Sequence, residues 1–419
     1  MKVKITKKTI NELELPEKNQ NFIWDSELKG FGIRISPKGI AYIAQGRVKG
    51  KTRRVTIGKH GVYTPEQARK RAMTILQDLS QGVDPSIEKK RNKVKSVTLQ
   101  EVVADYKKNK KTRDGHPLKE TTKKDIDRHL NTTFAEWKEK PIADITREKV
   151  LNLYRASAEK SVAQANQGFR VLRALYNWAR ATSKDQDGTP VLPENPVQTL
   201  TDLGQWGYVP ARKTRVSTFK VGEFWHYLHE ARNNPGQREL TRIVCDFVAF
   251  VLLTGCRFTE AASLTWDRVD LENNTWSLPD PKNRNPVVFP LSTQAKKILE
   301  NVGSFNDYVF SSRAKSGHVT DCRGLLKNIN GKTGEDVTAH DLRRTFRAIA
   351  GECGIEFWKC KLLMNHKMSN DVTLTHYTDT TNLTYLQPDI QKIGDWIERQ
   401  GKIAASDKVV DLEQARQAS

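Results

Sequence analysis

The chain has 419 residues, 37% of them hydrophobic, so it is too long for one ordinary domain and too apolar to be disordered. Lysine and arginine number 70 against 49 aspartate and glutamate residues, which gives a formal net charge of +21. This surplus favours a polyanionic partner such as DNA or RNA, although an anionic membrane surface or simple solubility would carry the same sign. The longest apolar stretch, residues 243–253, contains Asp246 and is too short to span a bilayer.

The first region, residues 1–90, predicts a small three-stranded sheet followed by a helix. Strands are expected at 31–35, 41–44 and 53–57, because short β-favouring runs are separated there by glycine-containing turns. The helix is expected to begin with Thr64 as its N-cap and to end at Gly82. Basic residues crowd one hairpin of this sheet, at positions 47–54. Such a ribbon can enter a DNA groove, but a solvated hairpin has the same composition.

The second region, residues 96–205, predicts a helical bundle with a basic surface. Residues 88–95 are dense in lysine and arginine without apolar periodicity, and they predict a linker before it. Thr98 is expected to cap the first helix. Apolar residues at 171, 172, 175, 176 and 178 repeat at helical spacing. Prolines and glycines between 193 and 210 predict a second linker.

The third region, residues 212–419, predicts helices around a small sheet near 275–291. In it, Gly255 is expected to end the apolar helix at 243–253. Arg257 opens the next helix, and Glu260 follows three residues later on the same face. An Arg–Glu pair of this kind is usually structural. Lys282 lies at the tip of a turn between two strands, where it is either a solvated lysine or a mobile cation that reaches a ligand.

Four further residues then follow in the order histidine, arginine, histidine, tyrosine. His340 and Arg343 are three apart on a helix and point the same way, which suits a phosphate because arginine binds two oxygens and histidine moves a proton. His366 comes next, and Tyr377 follows it. A tyrosine hydroxyl, with a pKa of about 10, is a poor nucleophile at neutral pH unless nearby cations stabilise the phenolate.

The order Arg, hairpin Lys, His-x-x-Arg, His and Tyr resembles the signature of tyrosine recombinases. With a basic N-terminal region ahead of it, the chain is similar to the integrases of temperate phages and genomic islands. Gly58, the run Pro65-Glu66-Gln67-Ala68-Arg69 and the run Gly82-Val83-Asp84-Pro85 match the arm-type DNA-binding domain of that group. The resemblance implies a multidomain α+β protein with an arm-type domain at 1–90, a helical core-site domain at 96–205 and a mainly helical catalytic domain at 212–419.

The resemblance also implies a role for each residue of the signature. Arg257 and Arg343 would hold the non-bridging oxygens of the scissile phosphate, and His366 would hydrogen-bond it. Lys282 would protonate the leaving 5′ oxygen, and His340 would assist proton transfer with the tyrosine. Tyr377 would attack, which gives a 3′-phosphotyrosine intermediate that needs no ATP, no metal and no other cofactor.

This sequence departs from the family pattern around the last two positions. Met364-Asn365 precede His366 where the family usually has Leu-Gly, and the arginine often found after the nucleophile is missing. Arg284 rivals Lys282 in the shortened turn, His376 is an alternative proton carrier, and Tyr385 is the other downstream tyrosine.

The function expected is integration or excision of a mobile element in the bacterial cytoplasm, in association with the nucleoid. The expected partners are double-stranded DNA with core-type and arm-type attachment sites, three further copies of the chain in a DNA-bound tetramer, a host DNA-bending protein and a directionality factor. The alternatives are a catalytically inactive DNA-binding regulator on an integrase scaffold and a type IB topoisomerase-like enzyme. An apolar stripe after Tyr377 packs either on its own domain or on a neighbouring protomer; it comprises Leu383, Leu386, Ile390, Ile393 and Trp396.

Overall fold

The computed structural model of the chain describes residues 2–48, 50–83, 85–185, 188–281, 285–366 and 379–417, the side chains of 85–87 and 407–417 excepted. The chain divides into two compact units, Met1–Pro210 and Ala211–Ser419. The buried apolar residues of the described ranges form three cores: one within 5–72, one within 99–200 and one within 216–397. Over these same ranges, no helix is both long enough and apolar enough to cross a membrane.

The N-terminal sheet has five strands in sequential order, so the expectation of three was wrong. The three expected strands are present as β3 (Phe31–Ser36), β4 (Gly39–Val48) and β5 (Lys51–Lys59). Two more precede them, β1 (Lys2–Val3) and β2 (Asn21–Asp25). β1 has only two residues and pairs in parallel with β2, so it is too short to show any periodicity.

One face of this sheet is covered by helix α2 (Pro65–Ser80), whose predicted N-cap, Thr64, forms a capping box with Gln67. Ala68 and Ala72 lie fully buried against the sheet. Arg69 of the same helix donates to both carboxylate oxygens of the buried Asp25, at 3.0 and 3.1 Å. This ion pair joins helix α2 to strand β2. A short helix, α1 (Lys7–Asn11), precedes the second strand.

The segment expected to be a linker at 88–95 is instead helical, as α3 (Pro85–Lys95). Apolar periodicity is weak there, but lysine, arginine and glutamate are good helix formers. Arg91 also binds Asp185 of the helical bundle through Nε at 2.8 Å and Nη2 at 2.5 Å. A segment of good helix formers that is fixed by the Arg91–Asp185 ion pair can therefore be helical without an apolar stripe.

The helical bundle of the first unit follows prediction, and Thr98 forms a complete capping box with Glu101. Its longest element, α6, is bent at Ser161, where φ is −167° and ψ is 108°. Leu172, Leu175 and Tyr176 of α6 lie in the core. The α-helices are α4 (Leu99–Asn109), α5 (Glu120–Asn131), α6 (Arg147–Thr182) and α7 (Thr199–Asp202).

The second predicted linker begins later than expected, because much of 193–207 packs on the bundle. Pro196 is buried, and Val197 and Leu200 belong to the apolar core of the bundle. Gly207 donates from its amide to the Tyr154 hydroxyl at 2.7 Å and accepts from the Asn166 amide at 2.9 Å. Pro196 begins a short helical turn and Gly204 follows the end of α7, so these residues bound helical turns rather than mark a free segment.

The second unit is built around α9 (Glu239–Thr254), a helix buried along most of its length, as its sequence predicted. The small predicted sheet is present, in the order β6 (Val269–Asp270), β7 (Thr275–Leu278) and β8 (Val287–Pro290). The other helices are α8 (Val221–Asn233), α10 (Phe258–Ala262), α11 (Thr293–Asn301), α12 (Arg323–Thr333), α13 (Ala339–Glu352), α14 (Phe357–Leu363) and α15 (Gln387–Gln417).

The apolar stripe after Tyr377 packs on its own unit, which rules out the neighbouring-protomer alternative for most of it. Leu383, Leu386, Ile390 and Ile393 are at most 2% exposed, and Trp396 is partly buried beside the same core. Helix α15 approaches α8 so closely that a Cβ on Gly401 would lie 2.4 Å from the Trp225 ring. The stripe therefore completes the core of the second unit.

Candidate active site

Arg257 is held at the junction of α9 and α10 by its neighbours in the chain. Gly255 ends α9 with a φ of 64°, a conformation that favours glycine, and a Cβ there would also lie 2.4 Å from the Phe346 ring. The buried Glu260 carboxylate accepts from Arg257 Nη1 at 2.6 Å and from its backbone N–H at 2.9 Å. The expected Arg–Glu pair is confirmed, and it fixes the direction of the guanidinium.

Arg343 lies on α13 and joins three segments of the second unit. Its side chain is buried, and the residue is 4% exposed. Nη1 donates to the Gly255 carbonyl at 2.7 Å, and Nη2 donates to the Met364 carbonyl. Arg257 Nη2 donates to the carbonyl of the next residue, Asn365, at 3.4 Å. Both guanidinium groups therefore converge on the end of α14.

The Met364-Asn365 departure from the family pattern has a conformational explanation. Asn365 has a φ of 48°, and asparagine is the residue after glycine that best tolerates this region. The Asn365 amide donates to Leu362 at 2.8 Å, and the His366 amide donates to Lys361 at 2.9 Å. These two bonds form a complete Schellman motif. Asn365 thus adopts the left-handed conformation for which glycine is suited at this position of the family pattern, and it places His366 directly after the helix.

The two histidines lie in the field of these arginines. Desolvation lowers the pKa of His366 to about 4, with further lowering by Arg343 and Arg257. Desolvation also lowers the pKa of His340, followed by repulsion from Arg344 and Arg343. Burial lowers the pKa of Arg343 itself to about 10, and Arg257 adds to the effect. The four predicted residues therefore form one electrostatic cluster, cationic through its arginines and neutral at its imidazoles near pH 7.

This cluster is suited to a phosphate group. The arginines offer charged N–H donors in a region of reduced solvent, where they act more strongly than in water. Neutral imidazoles can donate a hydrogen bond or accept a proton. The geometry brings together Arg257, His340, Arg343 and His366 of the six predicted site residues.

Lys282, its rival Arg284, Tyr377 and His376 lie outside the described residues. The segments that flank them meet on one strand, however. Val288 of β8 donates to the Thr381 carbonyl at 2.8 Å and accepts from the Leu383 amide at 2.9 Å. The strand that begins five residues after Lys282 is therefore hydrogen-bonded to the described segment that begins two residues after Tyr377.

Asp341 is a site residue whose role the sequence reading missed. It lies between His340 and Arg343 with a fully buried carboxylate, and it forms a capping box with Thr338. The signal was present in the sequence, since Thr338 and Asp341 have the T-x-x-D spacing of such a box.

Comparison with known proteins matches two family descriptions to this chain. The phage integrase family matches residues 226–383, and an arm DNA-binding domain matches residues 5–92. The chain therefore carries a catalytic domain of the phage integrase family and an N-terminal arm DNA-binding domain, and it is homologous to prophage integrases. The integrase is a site-specific DNA recombinase of the tyrosine type, as the sequence predicted.

Relatives in Escherichia coli strain K12 match most of the integrase chain. Prophage integrase IntF is 24% identical over 97% of this chain and 93% of its own. Prophage integrase IntZ is 24% identical over 84% of this chain and 86% of its own. Among solved structures, a lambda integrase tetramer bound to a Holliday junction has a similar fold, with a TM-score of 0.51 and 15% identity over 83% of this chain and 98% of that one.

The titration of His366 tests the cluster in the integrase without DNA. In NMR titrations of histidine Cε1–H signals, we expect His366 to titrate near its lowered pKa of about 4 rather than at the ordinary 6.5. The unfolded chain binds a proton on His366 near pH 6.5, whereas the folded protein does so only near pH 4. The contribution of neutral His366 to the free energy of unfolding is therefore complete above about pH 6.5 and is lost as the pH falls through about 4. His366→Gln assigns the signal, and His116→Gln, an exposed histidine of the first unit, is the matched control. An ordinary titration of His366 would contradict the clustered geometry.

Proposed function

We propose that the integrase cleaves and rejoins DNA through Tyr377, with the phosphate held by the arginine–histidine cluster. The Tyr377 hydroxyl oxygen attacks the scissile phosphorus, the P–O5′ bond breaks, and a 3′-phosphotyrosine forms. His340 takes the proton from the tyrosine, and Lys282, or its rival Arg284, gives one to the departing 5′ oxygen. The 5′ hydroxyl of a partner strand then attacks the phosphotyrosine and releases Tyr377, which conserves the bond energy.

The convergence of Arg257 and Arg343 on one end of α14 is the observation that carries this proposal. Attack by phenolate adds negative charge to the phosphate, and two fixed guanidinium groups stabilise that charge without reorganising during the step. His366 is neutral at pH 7 and donates a hydrogen bond to the same phosphate. Because the cations are already in place, binding energy goes to the transition state rather than to ordering the site.

Strand β8 supports the placement of the two remaining groups. Lys282 precedes this strand by five residues in the sequence, and Val288 within the strand is hydrogen-bonded to Thr381 and Leu383, four and six residues after Tyr377. A shift of β8 therefore moves described segments that lie close in sequence to both residues. This shared strand favours Lys282 and Tyr377 as partners on one phosphate.

We also propose that the N-terminal sheet binds arm-type sites through the face that helix α2 leaves uncovered. On that face, Arg54 lies over the Phe22 ring, with Cζ 4.1 Å from the ring centroid, and its Nε donates to Gln45 at 2.8 Å. Arg54 is exposed, and the cation–π contact and the hydrogen bond fix the orientation of its guanidinium at the surface. Arginines positioned in this way read guanine edges or phosphates in a groove.

Arg54→Ala in the full-length protein should weaken protection of the arm-type site and leave the core-type footprint unchanged. Losing one such contact is expected to cost about 1–3 kcal/mol in arm-site affinity. Footprinting of both sites measures the effect, with Lys59→Ala, another exposed basic residue of β5, as the matched control. Removal of residues 1–90 should abolish the arm footprint altogether. Equal losses at both sites for Arg54→Ala would show that this sheet is not a separate DNA reader.

We propose that four copies assemble on paired sites, with two active at a time, and that the chain is monomeric without DNA. The lambda integrase whose fold it shares is a tetramer on a Holliday junction. A host DNA-bending protein and a directionality factor complete the proposed partners. The bacterial cytoplasm is the proposed location.

A suicide substrate carrying the element's crossover site tests the function. A nick just 3′ of the scissile phosphate lets the short fragment that carries the new 5′ hydroxyl diffuse away, so cleavage traps a covalent protein–DNA adduct that survives denaturation. An adduct followed by exchange of partner strands supports the recombinase. Relaxation of supercoils without exchange would favour the topoisomerase alternative, and specific binding without any adduct would favour the inactive regulator.

A further inference from the structure

The segment that joins the two units is anchored at both ends. Gly207 is hydrogen-bonded to Tyr154 and Asn166 in the first unit, and a Cβ on it would lie 2.4 Å from Val162. Residues 208–213 follow, and Tyr208 among them is 86% exposed. The next anchored residue is Thr214, which is hydrogen-bonded within the second unit. Only six residues separate the two anchors.

The second anchor lies on α13, the helix that carries His340 and Arg343. The Thr214 hydroxyl donates to Asp341 Oδ1 at 2.8 Å. Two residues later, the Val216 amide donates to the Thr345 hydroxyl at 2.9 Å, and that hydroxyl in turn donates to the Asp341 carbonyl at 2.9 Å. The connecting segment thus ends in hydrogen bonds to the first turns of the catalytic helix.

The Asp341 carboxylate has a full set of donors. Oδ2 accepts from the Thr338 amide at 2.9 Å and from its hydroxyl at 2.7 Å, while Oδ1 accepts from Thr214 and from Arg344. Burial alone would raise the pKa of Asp341, but these hydrogen bonds outweigh it and hold the pKa below its ordinary value. Thr214 is the donor that comes from outside the helix and its cap.

We propose that Thr214 is a positioning residue, which transmits the placement of the connecting segment to His340 and Arg343 through Asp341. His340 precedes Asp341 and Arg343 follows it by two residues, so a displaced carboxylate moves the turn that presents both side chains. The proposal rests on the active site assigned above. It predicts that DNA binding, which orders the two units on one duplex, also sets the geometry of the catalytic helix.

The test compares Thr214→Val with Thr214→Ser in the full-length protein. Valine keeps the shape of threonine without the hydroxyl, and serine keeps the hydroxyl. We expect Thr214→Val to lower the single-turnover cleavage rate on the suicide substrate roughly tenfold, the size of a lost hydrogen bond to a charged group. Duplex affinity and the final adduct yield should stay at wild-type values, and Thr214→Ser should restore the rate.

A second measurement does not depend on cleavage. Hydrogen–deuterium exchange of the 339–346 amides should speed up in Thr214→Val without DNA, while exchange in α9 stays unchanged. Unchanged exchange at 339–346 would overturn the proposal even if the wild-type protein formed no adduct, an outcome that would separately defeat the proposed function. A rate loss that serine fails to rescue would overturn it as well.

Lengthening the connecting segment tests transmission itself. Insertion of Gly-Ser-Gly-Ser after Pro210 should slow cleavage in the wild-type background and have little further effect in Thr214→Val, because the link is already broken. Rate losses that multiply independently would show that Thr214 does not carry the signal from the connecting segment.

Discussion

Tyr377→Phe should eliminate the covalent protein–DNA adduct while leaving core-site affinity close to that of the wild type. Phenylalanine keeps the ring and removes the hydroxyl oxygen that is proposed to form the bond to phosphorus. The arginines proposed to bind the phosphate are unchanged, so we expect the complex to form and to stop before cleavage. Quenched reactions with the suicide substrate measure adduct formation, and gel shifts on the intact duplex measure affinity.

Tyr385→Phe is the matched control for this substitution. Tyr385 is the other tyrosine downstream of His366, it is 44% exposed, and its hydroxyl donates to the Asp379 carbonyl at 3.1 Å. Losing this exposed hydrogen bond should leave the cleavage rate near that of the wild type. An adduct formed by Tyr377→Phe, or lost in Tyr385→Phe, would place the nucleophile elsewhere.

Local signals in the sequence predicted much of the fold. Thr64 and Thr98 form the expected caps, because capping depends on residues within one turn of each other. The strand Lys2–Val3 was missed, because two residues carry no period and their pairing with Asn21–Asp25 is a long-range contact. The charged segment 88–95 was misread because its helix is held by Arg91 and Asp185, which lie 94 residues apart.

The same distinction applies to the site. Glu260 could be assigned to Arg257 from their spacing of three residues at the start of α10. The carbonyl groups that accept hydrogen bonds from Arg343 could not be predicted in this way, since Gly255 and Met364 come from other elements. Asn365 looked like a departure from the family until its positive φ showed that it meets the same backbone demand as glycine. Thr214 gave no signal at all, because its bond to Asp341 spans 127 residues.

Arg343→Lys should lower the single-turnover cleavage rate by about 10²–10³-fold, the loss measured for removal of a fixed donor to developing charge. Lysine keeps the charge but presents a compact ammonium in place of a planar fork. In the wild type, two N–H groups of Arg343 hold the Gly255 and Met364 carbonyls, which leaves the other N–H groups of a rigid guanidinium for the phosphate. An ammonium that binds these carbonyls has too few donors left to hold two phosphate oxygens.

Arg347→Lys separates this role from a general loss of positive charge or of helix stability. Arg347 lies four residues further along α13, and its guanidinium Cζ is 4.8 Å from the Phe357 ring centroid. It takes the same substitution on the same helix, so the cleavage rate should stay within about threefold of the wild type, as for exchange at a surface cation–π pair. If Arg343→Lys also stayed within tenfold of the wild-type rate, the carbonyl contacts would be its whole function, and Arg257 would have to bind the phosphate without it.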